Sequence, residues 1–181
     1  MNITYSGKNL SLKKIITSGV CLALCLLLPF FTGQIPQIGS MLSPMHIPVL
    51  ICGLACGWPY GLIVGLTAPV FRSLLFGMPP LFPTATAMAF ELAAYGATSG
   101  ILYKLLPKRM VFLYTSLVGA MVCGRIVWGI SMIVLMGITG GIFTLQAFIA
   151  GAFTNAIPGI ICHILIIPPI VLGLKKARLT E

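Results

Sequence analysis

Long apolar segments, separated by short stretches rich in Pro, Gly and basic residues, make up nearly the whole chain. A transmembrane helix needs about 20 mainly apolar residues, and Pro and Gly mark the turns between such helices. The pattern predicts an all-α membrane protein, a bundle of six transmembrane helices forming a single domain over residues 1–181. The predicted helices cover residues 12–31, 45–56, 59–76, 84–106, 110–137 and 145–174.

The two ends of the chain carry further expectations. Residues 1–11 are polar, which predicts a short lead outside the membrane. The last predicted helix contains Pro158, Pro168 and Pro169. Because proline inside a helix removes a backbone hydrogen bond, we expect kinks within this one segment.

Composition supports the membrane assignment. The chain is 59% hydrophobic and 7% charged, with a mean hydropathy of +1.10, whereas soluble domains are about a quarter charged. The net charge of +9 comes mainly from basic residues that flank the apolar segments: Lys8, Lys13, Lys14, Lys104, Lys108, Arg109, Lys175, Lys176 and Arg178. With six helices these positions fall on one side, which predicts cytoplasmic N- and C-termini in a multi-pass protein of the cell membrane. Nucleic-acid binding is therefore not expected.

Small residues recur at four-residue spacing in several predicted helices. Such spacing lets helix backbones approach closely within a membrane. The second to fourth predicted helices contain Gly53, Gly57, Gly61, Gly65, Gly96 and Gly100. We expect these to be internal packing surfaces. The pair Gly19 and Ala23 in the first helix is either a similar surface or a docking site for a partner protein.

Ionisable residues inside apolar helices are costly and mark functional sites. Arg72, Glu91 and Arg125 are of this kind, and Asn155 adds a polar group from the last helix. They predict a substrate pocket open to the outside. Two Arg against one Glu leave a positive charge, which favours an anionic ligand. Two alternatives remain: Arg72 reaches the membrane interface, and Glu91 only neutralises an Arg.

Other side chains near these charges are candidates for substrate contact. Tyr95 lies one helical turn after Glu91, Trp128 lies three residues after Arg125, and His46 begins the second predicted helix. Ordinary packing is the alternative for each of them. His163, deep in the last helix, is predicted to be a packing histidine.

Catalytic and metal chemistry are not expected. The chain has no Asp, so Glu91 is the one carboxylate within the predicted helices, and neither a two-metal site nor a carboxylate acid–base pair can be built. No nucleotide-binding loop of the G-x-x-x-x-G-K-[ST] type is present. The sequence therefore predicts no enzyme, no cofactor and no metal. Either another protein supplies energy for transport, or Glu91 relays protons in a stand-alone secondary transporter.

The run SPMHIPVLICGLACGWPYGLIVGLTAPVFRSLLFGMPPLFPTATAMAFELAAYG, Ser43 to Gly96, resembles the substrate-binding S-components of energy-coupling factor (ECF) vitamin transporters. The resemblance implies a vitamin pocket built from the fourth to sixth helices and capped by residues 32–44 and 77–83. It also implies partners, one transmembrane coupling subunit and two cytoplasmic ATPases. The family's Ala-x-x-x-Ala docking motif is represented here by Gly19 and Ala23.

The sequence is most similar to the pantothenate-type branch of that family. Pantothenate offers a carboxylate for Arg125 or Arg72, and hydroxyl and amide groups for Asn155, Glu91 and Tyr95. Riboflavin, cobalamin, a folate, a pyrimidine precursor and a vitamin B6 form remain alternatives.

Overall fold

The computed structural model describes the backbone of residues 4–31 and 41–177, and the side chains of residues 12–31, 41–152 and 154–177. These residues form seven α-helices, and no β-strand occurs among them. The helices are α1 (Thr4–Phe31), α2 (His46–Cys56), α3 (Trp58–Phe76), α4 (Thr86–Leu105), α5 (Met110–Ile138), α6 (Leu145–Ile149) and α7 (Ile157–Lys176). Two wider turns, Leu81–Ala85 and Ala150–Thr154, precede α4 and α7.

One of the predicted segments needs correction, and another is extended. Helix α1 begins at Thr4, ahead of the candidate membrane span Leu12–Phe31. Residues 4–11 are therefore helical, and their place outside the membrane stays a prediction. The last segment is not one kinked helix, because α6 ends at Ile149 and the amide of Asn155 donates to the carbonyl of Ala150 at 2.9 Å. Pro158 lies in the first turn of α7, where proline starts a helix well because its missing amide hydrogen is not needed.

Helix α2 is the central element of the bundle. It packs against α1, α3, α4 and α7, and ten of its 11 residues are buried. A helix that is apolar all round belongs in an interior. It ends at Gly57, whose φ of 99° turns the chain directly into α3.

Glycines determine how closely α2, α3 and α4 pack. A Cβ atom on Gly61 would lie 2.6 Å from the carbonyl oxygen of Gly96, closer than any side chain tolerates. Gly53 similarly faces Gly96 across the α2–α4 contact, and Gly65 faces the backbone of Leu92. The predicted close packing is found at these glycines and at Gly100, whereas Gly57 lies at the turn and has only Pro59 within 4 Å of its Cβ position. Gly19 differs, since nothing lies within 4 Å of its Cβ position.

The exposed surface is apolar, as lipid contact requires. Along α5, exposed residues recur every three or four positions: Val118, Val122, Ile126, Ile130 and Ile133. Within residues 4–31 and 41–177, four segments are long and apolar enough to cross a membrane: Leu12–Phe31, Trp58–Phe76, Met110–Ile138 and Leu145–Lys176. Helix α2 is shorter than a full span, and the count of six spans, with its orientation, stays a prediction.

Candidate functional site

An ion pair between buried Glu91 and partly buried Arg125 joins α4 to α5. Glu91 is 2% exposed, and its Oε1 lies 3.0 Å from Nη1 of Arg125. The two helices approach closely beside this pair, because a Cβ atom on Gly124 would lie 3.0 Å from the ring of Tyr95. The structure therefore brings Glu91, Arg125 and Tyr95 together.

His46 approaches the Glu91–Arg125 pair from a third helix. It is the first residue of α2, and its Nε2 lies 3.4 Å from the same Glu91 Oε1. Its ring meets the ring of Tyr95 edge to face, with 5.0 Å between the centroids. Four of the predicted site residues, His46, Glu91, Tyr95 and Arg125, thus form one contiguous group.

His163 on α7 also belongs to this group, although the sequence predicted a packing role for it. Its ring stacks on that of His46 at 5.9 Å, and its Nε2 lies 3.4 Å from the carbonyl oxygen of Ser43. Gly159, His163 and Ile167 recur every four residues and are all buried on one face of α7. This spacing in the sequence could have indicated that His163 faces the interior of the bundle. We refer to His46, Glu91, Tyr95, Arg125 and His163 as the polar cluster.

Several polar atoms of the cluster lack a hydrogen-bond partner among the described residues. They are Nδ1 and Nε2 of His46, Oε1 of Glu91, Nε of Arg125 and Nδ1 of His163. The Glu91–Arg125 ion pair and the His46–Glu91 approach are close contacts without hydrogen-bond geometry. Buried polar groups nearly always have partners, and each unmet one costs about 1–3 kcal/mol. The cluster is therefore suited to a polar ligand that offers both donors and acceptors.

Arg72 lies apart from the polar cluster. Its Nη1 donates to the carbonyl oxygen of Leu26 on α1. Its guanidinium lies over the rings of Phe30 and Phe76, at 4.9 and 5.4 Å from their centroids. The side chain is 3% exposed, so it links α1 to α3 instead of reaching outward. The polar cluster consequently holds one Arg and one Glu, and the predicted surplus of positive charge lies outside it.

Trp128 and Asn155 lie towards α6. The indole of Trp128 packs against Phe143 and Phe148, at 5.6 and 6.2 Å between ring centroids. A Cβ atom on Gly151 would meet this indole at 2.6 Å. Asn155 follows the turn before α7 and is exposed. Neither residue is in contact with the polar cluster.

The two predicted capping loops are described to different extents. Residues 32–40 of the first loop lie outside the described residues. The end of this loop contacts the polar cluster at Ser43, whose carbonyl oxygen lies 3.4 Å from Nε2 of His163. The φ of Ser43 is 46°. The second loop, residues 77–83, leads into the turn Leu81–Ala85, which packs against α3, α4 and α5.

Comparison with known proteins identifies the family. The family model for the ECF transporter substrate-specific component matches residues 13–171. No curated protein and no solved structure matches the chain. The family match spans the five residues of the polar cluster together with Gly19 and Ala23. It implies a small-molecule substrate and association with coupling and ATPase subunits. The chain therefore belongs to the ECF transporter substrate-specific component family and is a substrate-binding subunit of a membrane transporter, not an enzyme.

Proposed function

We propose that this S-component captures a small polar vitamin at the polar cluster, on the outer side of a bacterial plasma membrane. The observation that carries the proposal is the buried Glu91–Arg125 pair and the two histidines beside it, with several polar atoms unpartnered among the described residues. Purely structural ion pairs in an apolar interior need full hydrogen bonding to offset their desolvation. An incompletely bonded pair that spans three helices with His46 suits reversible ligand binding.

The cluster favours a ligand that carries a carboxylate and hydroxyl groups. Arginine binds a carboxylate through two parallel N–H groups, and Nε of Arg125 is available for one of them. Glu91 then accepts hydrogen bonds from ligand hydroxyl groups, and His46 and His163 donate or accept according to tautomer. Because Arg125 and Glu91 neutralise each other, a monoanion with several neutral polar groups fits better than a polyanion. Pantothenate has this chemistry and is our proposed ligand.

The exposed surface of α1 is the proposed docking site for the coupling subunit. Gly19 and Ala23 are both exposed and lie one turn apart. Small residues at this spacing permit close helix contact in a membrane. The assembled transporter would contain the coupling subunit and two cytoplasmic ATPases, with both termini of this chain in the cytoplasm.

Identification of the co-purifying small molecule tests the proposal. The protein is purified in detergent and denatured, and the released compounds are analysed by mass spectrometry. We expect pantothenate from the wild type and none from Arg125→Ala. The matched control is Arg109→Ala, since Arg109 is exposed and precedes α5. Equal retention by Arg125→Ala would contradict the site. A different vitamin lost in the same variant would overturn the pantothenate assignment alone.

A further inference from the structure

A cavity of about 260 Å³ lies at the other end of the bundle from the polar cluster. His46 begins α2, whereas this cavity lies where α2 ends and α3 begins. The polar cluster therefore does not contribute to it. Its lining includes Lys14, Trp58, Tyr60, Tyr103, Lys104 and Lys108.

Positive charge from separate parts of the chain converges on this cavity. Lys14 comes from α1, Lys104 from the last turn of α4 and Lys108 from the connection to α5. Lys108 is held in place, because its Nζ donates to the carbonyl oxygen of Tyr103 at 3.0 Å and lies 4.0 Å from the centre of that ring. Among the described residues that line the cavity, none is Asp or Glu. A cavity lined in this way favours an anionic ligand.

The backbone adds favourable polarity at the same place. Helix α3 begins at Trp58, directly after Gly57 with its positive φ. The first amides of this 19-residue helix, those of Trp58 and Tyr60 because Pro59 has no N–H group, carry partial positive charge and lack intrahelical partners. Gly100 lets this helix start approach α4, because a Cβ atom there would lie 2.7 Å from Cα of Trp58.

The surroundings indicate a membrane lipid as the source of the anion. Ile101 and Leu105 of α4 are exposed apolar residues beside Lys104, at 41% and 75% exposure, and provide a surface for acyl chains. Trp58 and Tyr60 are aromatic residues of the type that lies at headgroup level. The volume is slightly below the range of roughly 300–1,000 Å³ usual for small-molecule pockets, which suits a headgroup better than a vitamin.

We propose that this cavity binds the phosphodiester headgroup of an anionic phospholipid, at the end of the bundle predicted to face the cytoplasm. Lys14, Lys104 and Lys108 surround the phosphate, and the acyl chains lie along α4 at Ile101 and Leu105. Basic pockets between helices on the cytoplasmic side are suited to such headgroups. The site is separate from the proposed vitamin site, and it does not depend on the identity of the vitamin.

The test measures lipid binding to purified, delipidated protein in a neutral maltoside detergent. Short-chain phosphatidylglycerol is added, and the shift in unfolding temperature and the retention of lipid in native mass spectrometry are recorded. Phosphatidylcholine is the uncharged-headgroup control, and glycerol 3-phosphate and inorganic phosphate are the soluble controls. We expect phosphatidylglycerol to stabilise the wild type, and the control compounds to have little effect at equal concentration. Equal stabilisation by glycerol 3-phosphate would contradict a lipid as the ligand.

Variants locate the site. Lys104→Gln with Lys108→Gln is expected to weaken phosphatidylglycerol binding by about tenfold or more, since each lysine contributes appreciably to anionic-lipid attraction. Lys175→Gln with Lys176→Gln removes the same charge from the end of α7 and should leave binding within about twofold, because neither lysine lines the cavity. Lys104→Arg with Lys108→Arg retains the charge and should retain binding. Equal losses in the two glutamine pairs, or no loss in either, would overturn the proposal.

Discussion

Two arginines that both lie within apolar segments of the sequence have different surroundings in the structure. Arg72 and Arg125 both interrupt apolar helices, and hydropathy alone treats them alike. Arg125 lies 3.0 Å from Glu91, whereas Arg72 contacts the backbone of Leu26 and two phenylalanine rings. The sequence predicted that both would line a substrate pocket, with the membrane interface as the alternative position for Arg72. It could not predict their partners, because these depend on which helix faces lie together.

This difference predicts a stability defect at Arg72. Arg72→Ala removes a hydrogen bond from a charged donor, worth about 1.5–3 kcal/mol, and contacts with two rings. We expect a lower unfolding temperature in detergent, measured by intrinsic fluorescence on heating. Arg109→Ala is the control, because that side chain is exposed and should leave the temperature nearly unchanged. An unaltered unfolding temperature in Arg72→Ala would show that the contacts of Arg72 between α1 and α3 do not stabilise the protein.

His46 provides a second prediction at the residue scale. His46→Phe keeps an aromatic ring against Tyr95 and His163 but removes both ring nitrogens. If a ligand hydrogen-bonds to one of these nitrogens, affinity should fall by about tenfold while the unfolding temperature of the ligand-free protein is maintained. Fluorescence titration with the co-purifying vitamin measures the affinity. Undiminished affinity would limit His46 to packing.

At the scale of elements, glycine positions were the most informative part of the sequence. The four-residue repeats predicted close packing of the second to fourth helices, and Gly61 and Gly96 lie face to face in the structure. The break before α7 was missed, because the apolar run continues through Ala150–Thr154. Hydropathy measures whether a segment suits lipid, and it does not register a wider turn whose backbone still forms hydrogen bonds. The sequence predicted that His163 packs in the interior, as it does against His46, but a single histidine does not show which helices it contacts.

The close packing of α3 on α4 leads to a matched pair of glycine variants. Gly61→Ala places a methyl group 2.6 Å from the carbonyl oxygen of Gly96, so the helices must separate and the unfolding temperature should fall clearly. Gly173→Ala introduces the same methyl group on α7, where nothing lies within 4 Å. There the higher helix propensity of alanine, about 1 kcal/mol, should leave stability equal or slightly higher. Equal effects of the two variants would contradict the packing described.

The exposed small residues of α1 predict a separation of binding from assembly. Gly19→Trp should leave vitamin binding by the isolated protein unchanged, because nothing packs on this position. It should reduce co-purification with the coupling and ATPase subunits. Leu24→Trp is the control, since Leu24 is exposed and lies on another face of α1, about 140° from Gly19 at 100° per residue. Undisturbed assembly with Gly19→Trp would place the docking surface elsewhere.

At the scale of the whole molecule, composition together with the positions of the charges was sufficient to predict the general class. Few charges, basic flanks and a few buried ionisable residues predicted a membrane transport protein, and the family match confirms a substrate-specific component. The sequence could not identify the ligand, because ligand specificity depends on the positions of a few polar atoms to within an ångström. The structure supplies these positions for the polar cluster, and it moves the spare cation, Arg72, out of it.

The family assignment predicts that transport depends on partners. Cells that express this chain alone should bind the vitamin but not accumulate it, whereas cells that also express the coupling and ATPase subunits should accumulate it. Uptake of radiolabelled vitamin, with an ATPase-inactive module as control, measures this dependence. Accumulation by the chain alone would favour a proton-coupled transporter that uses Glu91.

The most direct test of the polar cluster is the affinity of purified, ligand-free protein for its co-purifying vitamin, measured by isothermal titration calorimetry on Arg125→Ala and Arg72→Ala in parallel. Both variants remove one arginine from within an apolar helix, but Arg125 alone belongs to the cluster. The account predicts that Arg125→Ala weakens binding by about tenfold or more, and that Arg72→Ala stays within about threefold of the wild type. Wild-type affinity in Arg125→Ala, or the larger loss in Arg72→Ala, would contradict it.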